Sequence, residues 1–209
     1  MKLTFISDTH SCHEIIKMED GDILFHCGDM TKRGELREVS EVASYLASQP
    51  FKYKVVIAGN HDFCFENENR KEAEKILTDQ GIIYLNDSLC IIDGLKIWGS
   101  PIQPFFHNWA FNKERGNDIK RHWDLIPDDI HILLTHGPPF GILDSVQTGE
   151  SVGCEELLKK VEKLRPKIHA FGHIHESYGL KTVGDTIFVN ASVLDINYRI
   201  KNIPLSLQI

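Results

Sequence analysis

Five short polar clusters, each directly after an apolar run, carry the chemistry open to this chain: Asp8-Thr9-His10, Gly28-Asp29, Gly59-Asn60-His61-Asp62, His136 and Gly172-His173-Ile174-His175. Asp, His and Asn are donors that first-row divalent metals accept in mixed oxygen and nitrogen sites, with no thiolate required. Any one cluster is common in proteins, but the ordered set points to a pair of metal ions hydrolysing a phosphate ester. A carboxylate bridges two ions well by giving one oxygen to each, and Asp29 is the candidate bridge. Asp8 and His10 leave one strand end together and face one ion, with His175 arriving from a distant loop. Asn60, His136 and His173 surround the other ion beside the shared Asp29, and the neutral Asn60 makes the two ions unequal. Ions about 3.5 to 4 Å apart can hold a bridging hydroxide, bring the pKa of its parent water towards neutrality, and clamp phosphoryl oxygens for in-line attack.

His61 follows Asn60 directly and is expected to be a catalytic residue rather than a ligand. An imidazole near neutral pH suits stabilising phosphoryl charge and protonating a leaving alkoxide. Asn60 and His61 are the expected substrate contacts, and Asp62 either orients the imidazole or serves the turn. Gly28, Gly59, Gly137 and Gly172 stand where strand runs into loop, which suits close backbone approach and plain turn chemistry alike. His13, His26, His107, His122, His131 and His169 are read as surface or packed residues, with His26 three positions before Asp29.

The elements that must position these groups are legible as apolar runs at 3–6, 23–25, 54–57, 130–134 and 168–171, expected as buried strands of a partly parallel sheet. Helical periodicity covers 35–47 and 154–164, with Pro50 and Pro166 just beyond. Further strands at 88–92 and 95–99, and at 178–182 and 186–189, are joined by Asp93-Gly94 and Gly184-Asp185 as hairpins. The aromatic segment 101–116, with Phe105, Phe106, Trp109 and Phe111, reads as a wrapped loop anchored by core aromatics in preference to a lid or binding loop.

With 209 residues, no repeat and no linker, the whole of 1–209 is expected to be one domain. A net charge of −7 argues against a long nucleic acid, whose binding relies on many Lys and Arg contacts. A small phosphorylated substrate, a nucleotide in particular, is the expected partner, since bound metals supply local positive charge; a homodimer is left open. Five scattered cysteines, the lack of a signal-like start and the lack of a run of about 20 apolar residues give the expectation of a reducing cytoplasm and no membrane partner.

The chain resembles the calcineurin-like metallophosphoesterase superfamily over nearly its whole length. Within it, Ile6-Ser7-Asp8-Thr9-His10-Ser11, Gly21-Asp22-Ile23-Leu24, Val56-Ile57-Ala58-Gly59-Asn60-His61, Trp109-Ala110-Phe111-Asn112, Thr135-His136-Gly137-Pro138-Pro139 and Ile174-His175-Glu176 are similar to one subgroup. That subgroup is the metallophosphoesterase-domain proteins first noted in vertebrate brain, with microbial relatives. The resemblance implies an α/β fold in four layers, two facing mixed sheets flanked by helices, with the metals at the sheet ends. It also supports the ligand set given above, whose seven donors of mixed oxygen and nitrogen type point to two ions of Mn, Fe or Zn. Some members of the subgroup carry Gly at the position of His173, where this chain keeps the ligand. Protein serine/threonine phosphatases of the superfamily carry G-D-x-x-D-R-G, whereas this chain reads Gly28-Asp29-Met30-Thr31-Lys32-Arg33-Gly34 and lacks the second Asp. The expected activity is a phosphodiesterase on cyclic or 2′,3′-cyclic nucleotides. The alternatives are a phosphomonoesterase with the same site and a low-turnover nucleotide- or metal-binding regulator.

Overall fold

Runs dominated by Ile, Val, Leu and Phe are satisfied by burial on both faces, and each of the five runs contributes to a strand between packed layers. The computed structural model describes residues 1–209. In chain order the first half runs β1 (Lys2–Ile6), β2 (Gly21–Cys27), α1 (Leu36–Ser48), β3 (Phe51–Ile57), α2 (Arg70–Asp79), β4 (Ile83–Tyr84), β5 (Ser88–Ile92) and β6 (Leu95–Ser100). The second half adds β7 (Gln103–Pro104), β8 (Asn112–Lys113), α3 (Asn117–Asp124), β9 (Ile132–Thr135), α4 (Glu155–Leu164), β10 (Ile168–Phe171), β11 (Gly179–Val183), β12 (Thr186–Asn190) and β13 (Leu205–Gln208).

Two mixed sheets result. The first has the order β13-β1-β2-β3-β4, parallel except for β13, which runs antiparallel to β1. The second has the order β11-β12-β10-β9-β6-β5, parallel at its centre with an antiparallel strand at each edge. Alternation along each strand assigns its faces. Leu3, Phe5, Ile23, Phe25, Val55 and Ile57 of the first sheet form one apolar cluster with Ile97, Ile132, Leu134, Ile168, Ala170 and Val189 of the second, so these faces meet. Phe5 and Phe25 stack at 5.0 Å within it. The opposite faces carry the helices: Leu24 and Val56 lie in a cluster with Val39, Val42, Ala43 and Leu46 of α1 and with Ala73 and Leu77 of α2. Leu133, Phe171 and Phe188 share that cluster with Ile119 and Trp123 of α3 and with Leu157 and Val161 of α4. The order of layers is therefore helix, sheet, sheet, helix, as expected. No helix is long and apolar enough to cross a membrane.

α1 begins with Glu35 and Glu38 in a reciprocal capping box. The Glu38 carboxylate also accepts the N–H groups of Lys32 and Arg33 and the Ser11 hydroxyl, each at 3.0 Å. One helix start thus pins the loop after β2. At the same end of the molecule the two sheets are stitched together by a parallel bridge between Ser7 and Ser192, with Val193 N–H donating to Ser7 O at 3.1 Å.

Candidate metal centre and its cleft

Every expected metal donor lies just past the carboxyl end of a parallel strand: Asp8 and His10 after β1, Asp29 after β2, Asn60 after β3, His136 after β9, and His173 and His175 after β10. That edge is where open parallel sheets bind ligands, because the loops diverge there. The backbone is forced to turn tightly. Asp8 (φ 56°), His10 (φ 40°), Asp29 (φ 53°) and His173 (φ 66°) all occupy the left-handed region. Such residues cost about 1 to 3 kcal/mol each and persist where the surroundings over-determine them. Close approach is also steric. A Cβ on Gly172 would stand 2.1 Å from Asp8 Oδ2, and one on Gly59 would stand 2.4 Å from Asp29 Oδ1. Gly137 differs, since the nearest atom to its Cβ position is 4.0 Å away, so there the reading as a turn residue is sufficient.

The donors converge in two trios. Asp8, His10 and His175 form one, and Asp29, His136 and His173 the other, each with its donor atoms within 4.8 Å of one another. Asp29 lies between them: its Oδ2 is 3.6 Å from His10 Nε2 and 3.5 Å from His136 Nε2. Oδ2 is the atom that faces both histidines, and Oδ1 accepts the His61 backbone N–H at 2.8 Å. Asp8 accepts the His173 backbone N–H and the Ser192 hydroxyl, the latter at 2.7 Å, and its Oδ1 lies 3.6 Å from His175 Nε2.

This donor set fits divalent cations. His10 is 2 % exposed, yet neither of its ring nitrogens has a hydrogen-bond partner. His136 Nδ1 donates to Cys27 O at 2.9 Å and His175 Nδ1 donates to Asp195 O at 3.0 Å, so in each ring Nε2 presents its lone pair to the site. His136 Nε2 is also 2.9 Å from Asn60 Oδ1, and two acceptors so close require a proton or a cation between them. The buried carboxylates of Asp8 and Asp29 meet only histidines as charged partners.

Without metal, protons must stand in for the missing charge. Burial opposes protonation of His136, but the charge and hydrogen bond of Asp29 and the charge of Asp8 push its pKa up to about 9. Burial opposes it at His175 too, and the hydrogen bond and charge of Asp8 prevail, again giving about 9. Burial lowers His10 and His173 to about 4, and His26 and His169 to about 3. An unfolded histidine titrates near 6.5. As pH rises to that value, the unfolded chain sheds protons that the four depressed histidines do not hold when folded, so stability increases. Between about 6.5 and 9 the fold still holds protons on His136 and His175 that the unfolded chain has lost, so stability decreases. The Tm of metal-stripped protein is therefore expected to peak near pH 6.5 and fall towards pH 9. Loading with Mn2+ should abolish the alkaline fall, because the cation replaces those protons. A stripped protein whose Tm is flat or rising over the alkaline range contradicts this electrostatic account.

His61 joins His10 and Asp29 in a third close trio and borders the cleft, half-buried. Its ring is oriented by two contacts: Nδ1 donates to Lys32 O at 3.0 Å, and Trp109 packs against it at 4.2 Å between ring centroids, tilted by 32°. The pinned loop after β2 thus sets the imidazole. Asp62 does not. Its buried carboxylate accepts the N–H groups of Met30, Thr31 and Gly59 and the Thr31 hydroxyl, tying two donor-bearing loops together, so of the two sequence readings the turn role is the one realised. Burial and the Asp29 charge raise its pKa to about 6 against those bonds.

The aromatic segment divides between both of its expected roles. Phe111 is buried and anchors the loop, whereas Phe105 and Phe106 are each 53 % exposed and line the cleft with Trp109. Trp109 is therefore a cleft wall and not a core anchor, which corrects the preferred sequence reading. The cleft has a volume of about 460 Å³, and among its lining residues Arg115 is the only Lys or Arg. That guanidinium is already committed to Gly153 O, Val152 O and Glu155. Tyr198, which sequence reasoning missed, stands edge-on to His10 at 4.8 Å between centroids. Only a turn signal at Asp195 and Asn197 marked its neighbourhood, and nothing there pointed to the site.

Comparison with known proteins agrees with this geometry. The family model of the calcineurin-like phosphoesterases matches residues 1–177. The chain is 42 % identical to metallophosphoesterase domain-containing protein 1 of Homo sapiens, over 96 % of this chain and 68 % of that protein. It is 36 % identical to the UPF0046 protein K07C11.7 of Caenorhabditis elegans, over 98 % of this chain and 74 % of the relative. In fold alone it is similar to TT1561 of Thermus thermophilus, with a TM-score of 0.63 at 14 % identity over 90 % of this chain and 88 % of that one. Strand ends, buried Asp and His donors and sequence kinship converge on one conclusion: the chain belongs to the calcineurin-like phosphoesterase family and is a metal-dependent hydrolase of phosphate esters.

Proposed function

We propose that the chain is a phosphodiesterase holding two divalent ions of Mn, Fe or Zn, with small nucleotide diesters, cyclic and 2′,3′-cyclic forms included, as its substrates. Asp8, His10, Asp29 and His175 hold one ion; Asp29, Asn60, His136 and His173 hold the other. The observation that carries the diester reading is the charge of the cleft: its single guanidinium is neutralised by Glu155 and backbone carbonyls, and Glu176 adds negative charge. A singly charged diester suits such a wall better than a doubly charged monoester. When bound, the ions supply an acidified water and positive charge at the phosphoryl oxygens. The Asp29 carboxylate would help hold both ions and offset their charge. Asn60 and His61 face the phosphoryl group, and His61 delivers a proton to the departing alkoxide while Lys32 O and Trp109 keep its ring in place. The five free cysteines support a reducing, cytoplasmic setting.

The nucleotide part of the reading rests on the exposed aromatic wall. Phe106→Ala should raise KM for a nucleotide diester roughly tenfold, in line with ~1 to 3 kcal/mol per stacked base, and leave a small nitrophenyl diester nearly unchanged. Its Tm should hold, because the side chain is half exposed. Equal loss on both substrates would remove the support for base stacking. The class itself is tested by a panel of mono- and diesters assayed with Mn2+, where kcat/KM should favour diesters; a preference for monoesters defeats the proposal.

A further inference from the structure

Two buried histidines outside the metal set occupy equivalent places in the two sheets. His26 lies on β2 and His169 on β10, each at 0 % exposure. Their neighbours in sequence face the other sheet: Phe25 and Cys27 flank His26, and Ile168 and Ala170 flank His169. Alternation therefore puts both imidazoles on the helix-facing sides. Each reaches the threonine that ends or follows the adjacent parallel strand. His26 Nε2 is 3.0 Å from Thr9 Oγ1, and His169 Nε2 is 2.9 Å from Thr135 Oγ1.

The direction of these bonds follows from the hydroxyls. Thr9 Oγ1 donates to Met30 O at 3.3 Å, and Thr135 Oγ1 donates to Gly137 O at 2.7 Å. A hydroxyl has one hydrogen, so each imidazole donates from Nε2 and leaves Nδ1 as a bare acceptor. Neither Nδ1 has a partner. Burying an unpartnered polar atom costs stability that an apolar side chain would avoid, so packing alone does not account for histidine at either position.

What each bond holds is a donor-bearing turn. Thr9 sits between Asp8 and His10, and its carbonyl partner Met30 follows Asp29. Thr135 and Gly137 flank His136. We propose that His26 and His169 are positioning residues, one for each ion, which lock these turns through the threonine hydroxyls in the geometry that binds metal. The inference rests on the two-ion reading above. Burial pushes both imidazoles down to about 3, so the bonds persist unchanged through neutral pH.

The test is calorimetric titration of the stripped protein with Mn2+ alone, with Tm measured in parallel. The wild-type protein should bind in two steps; a single step defeats the two-ion reading, and this inference with it. Given two steps, His26→Leu and His169→Leu should each weaken a different step by about 10- to 100-fold and leave the other within about twofold. His26→Gln and His169→Gln, whose amide nitrogen reaches the place of Nε2, should recover most of the affinity. Thr9→Val and Thr135→Val remove the same bonds from the other side and should weaken the same steps. A lowered Tm with both Mn2+ affinities unchanged, or both variants weakening the same step, overturns the assignment. Should either leucine variant fail to fold, the valine variants decide by the same criterion.

Discussion

Replacing Asp29 by asparagine is expected to slow hydrolysis on the order of a thousandfold, because it removes the charge shared by both halves of the site while leaving its shape intact. Several kcal/mol of transition-state charge stabilisation come from bound metal, and each 1.36 kcal/mol is a factor of ten in rate. The choice of asparagine matters. Oδ1 accepts the His61 backbone N–H, and an amide oxygen can do the same, so the loop contact survives the substitution. Oδ2, which lies 3.6 Å from His10 Nε2 and 3.5 Å from His136 Nε2, becomes an uncharged NH2 group that repels a cation. Activity assays should be paired with Mn2+ content and Tm. Loss of activity and of both ions at near-normal Tm is the expected outcome. Retained activity in Asp29→Asn would make the residue a loop fastener and remove it from the chemistry.

His61→Ala should separate substrates by leaving group. Proton transfer by a positioned side chain contributes typically 10² to 10⁴ in rate, and an alkoxide needs that proton whereas p-nitrophenolate departs without it. A natural diester should therefore slow by about 10² or more, and an activated nitrophenyl diester by about tenfold or less. The geometry behind this is restrictive, since Lys32 O fixes Nδ1 and Trp109 covers a ring face. Trp109→Ala should reproduce a fraction of the same selectivity by letting the imidazole wander. Equal losses on both esters would assign His61 to phosphate binding instead.

Much of this was legible because the parallel strands advertise themselves. Ile23, Phe25 and Cys27 bury one face and Leu24 packs on the other, so the apolar run 23–25 reads as a strand buried on both sides, and Gly28-Asp29 had to emerge at its end. The same logic placed Asn60 after β3 and His136 after β9. α2 and α3 escaped notice for the opposite reason. α3 buries only Ile119 and Trp123, and α2 only Ala73 and Leu77, too few apolar positions to define a period. The edge strand β13 alternates Leu205 and Leu207 with polar residues over four positions and is equally faint. Within the site, the ligand types were readable but their fasteners were not. Lys32, Cys27 and Asp195 act through backbone carbonyls, which any residue could supply, and Ser192 reaches Asp8 across 184 positions. Trp109 was misassigned because an aromatic residue in an irregular loop most often packs inward. Here Phe111 does that work and frees Trp109 to face His61.

The proposed function requires two cations that share Asp29 between the trios of Asp8, His10 and His175 and of Asp29, His136 and His173. Elemental analysis tests it most directly. Protein stripped of metal, reconstituted with excess Mn2+ and desalted should retain two ions per chain, and Asp29→Ala treated in parallel should retain neither. Retention of at most one ion by the wild-type protein, or of two by Asp29→Ala, would contradict the account.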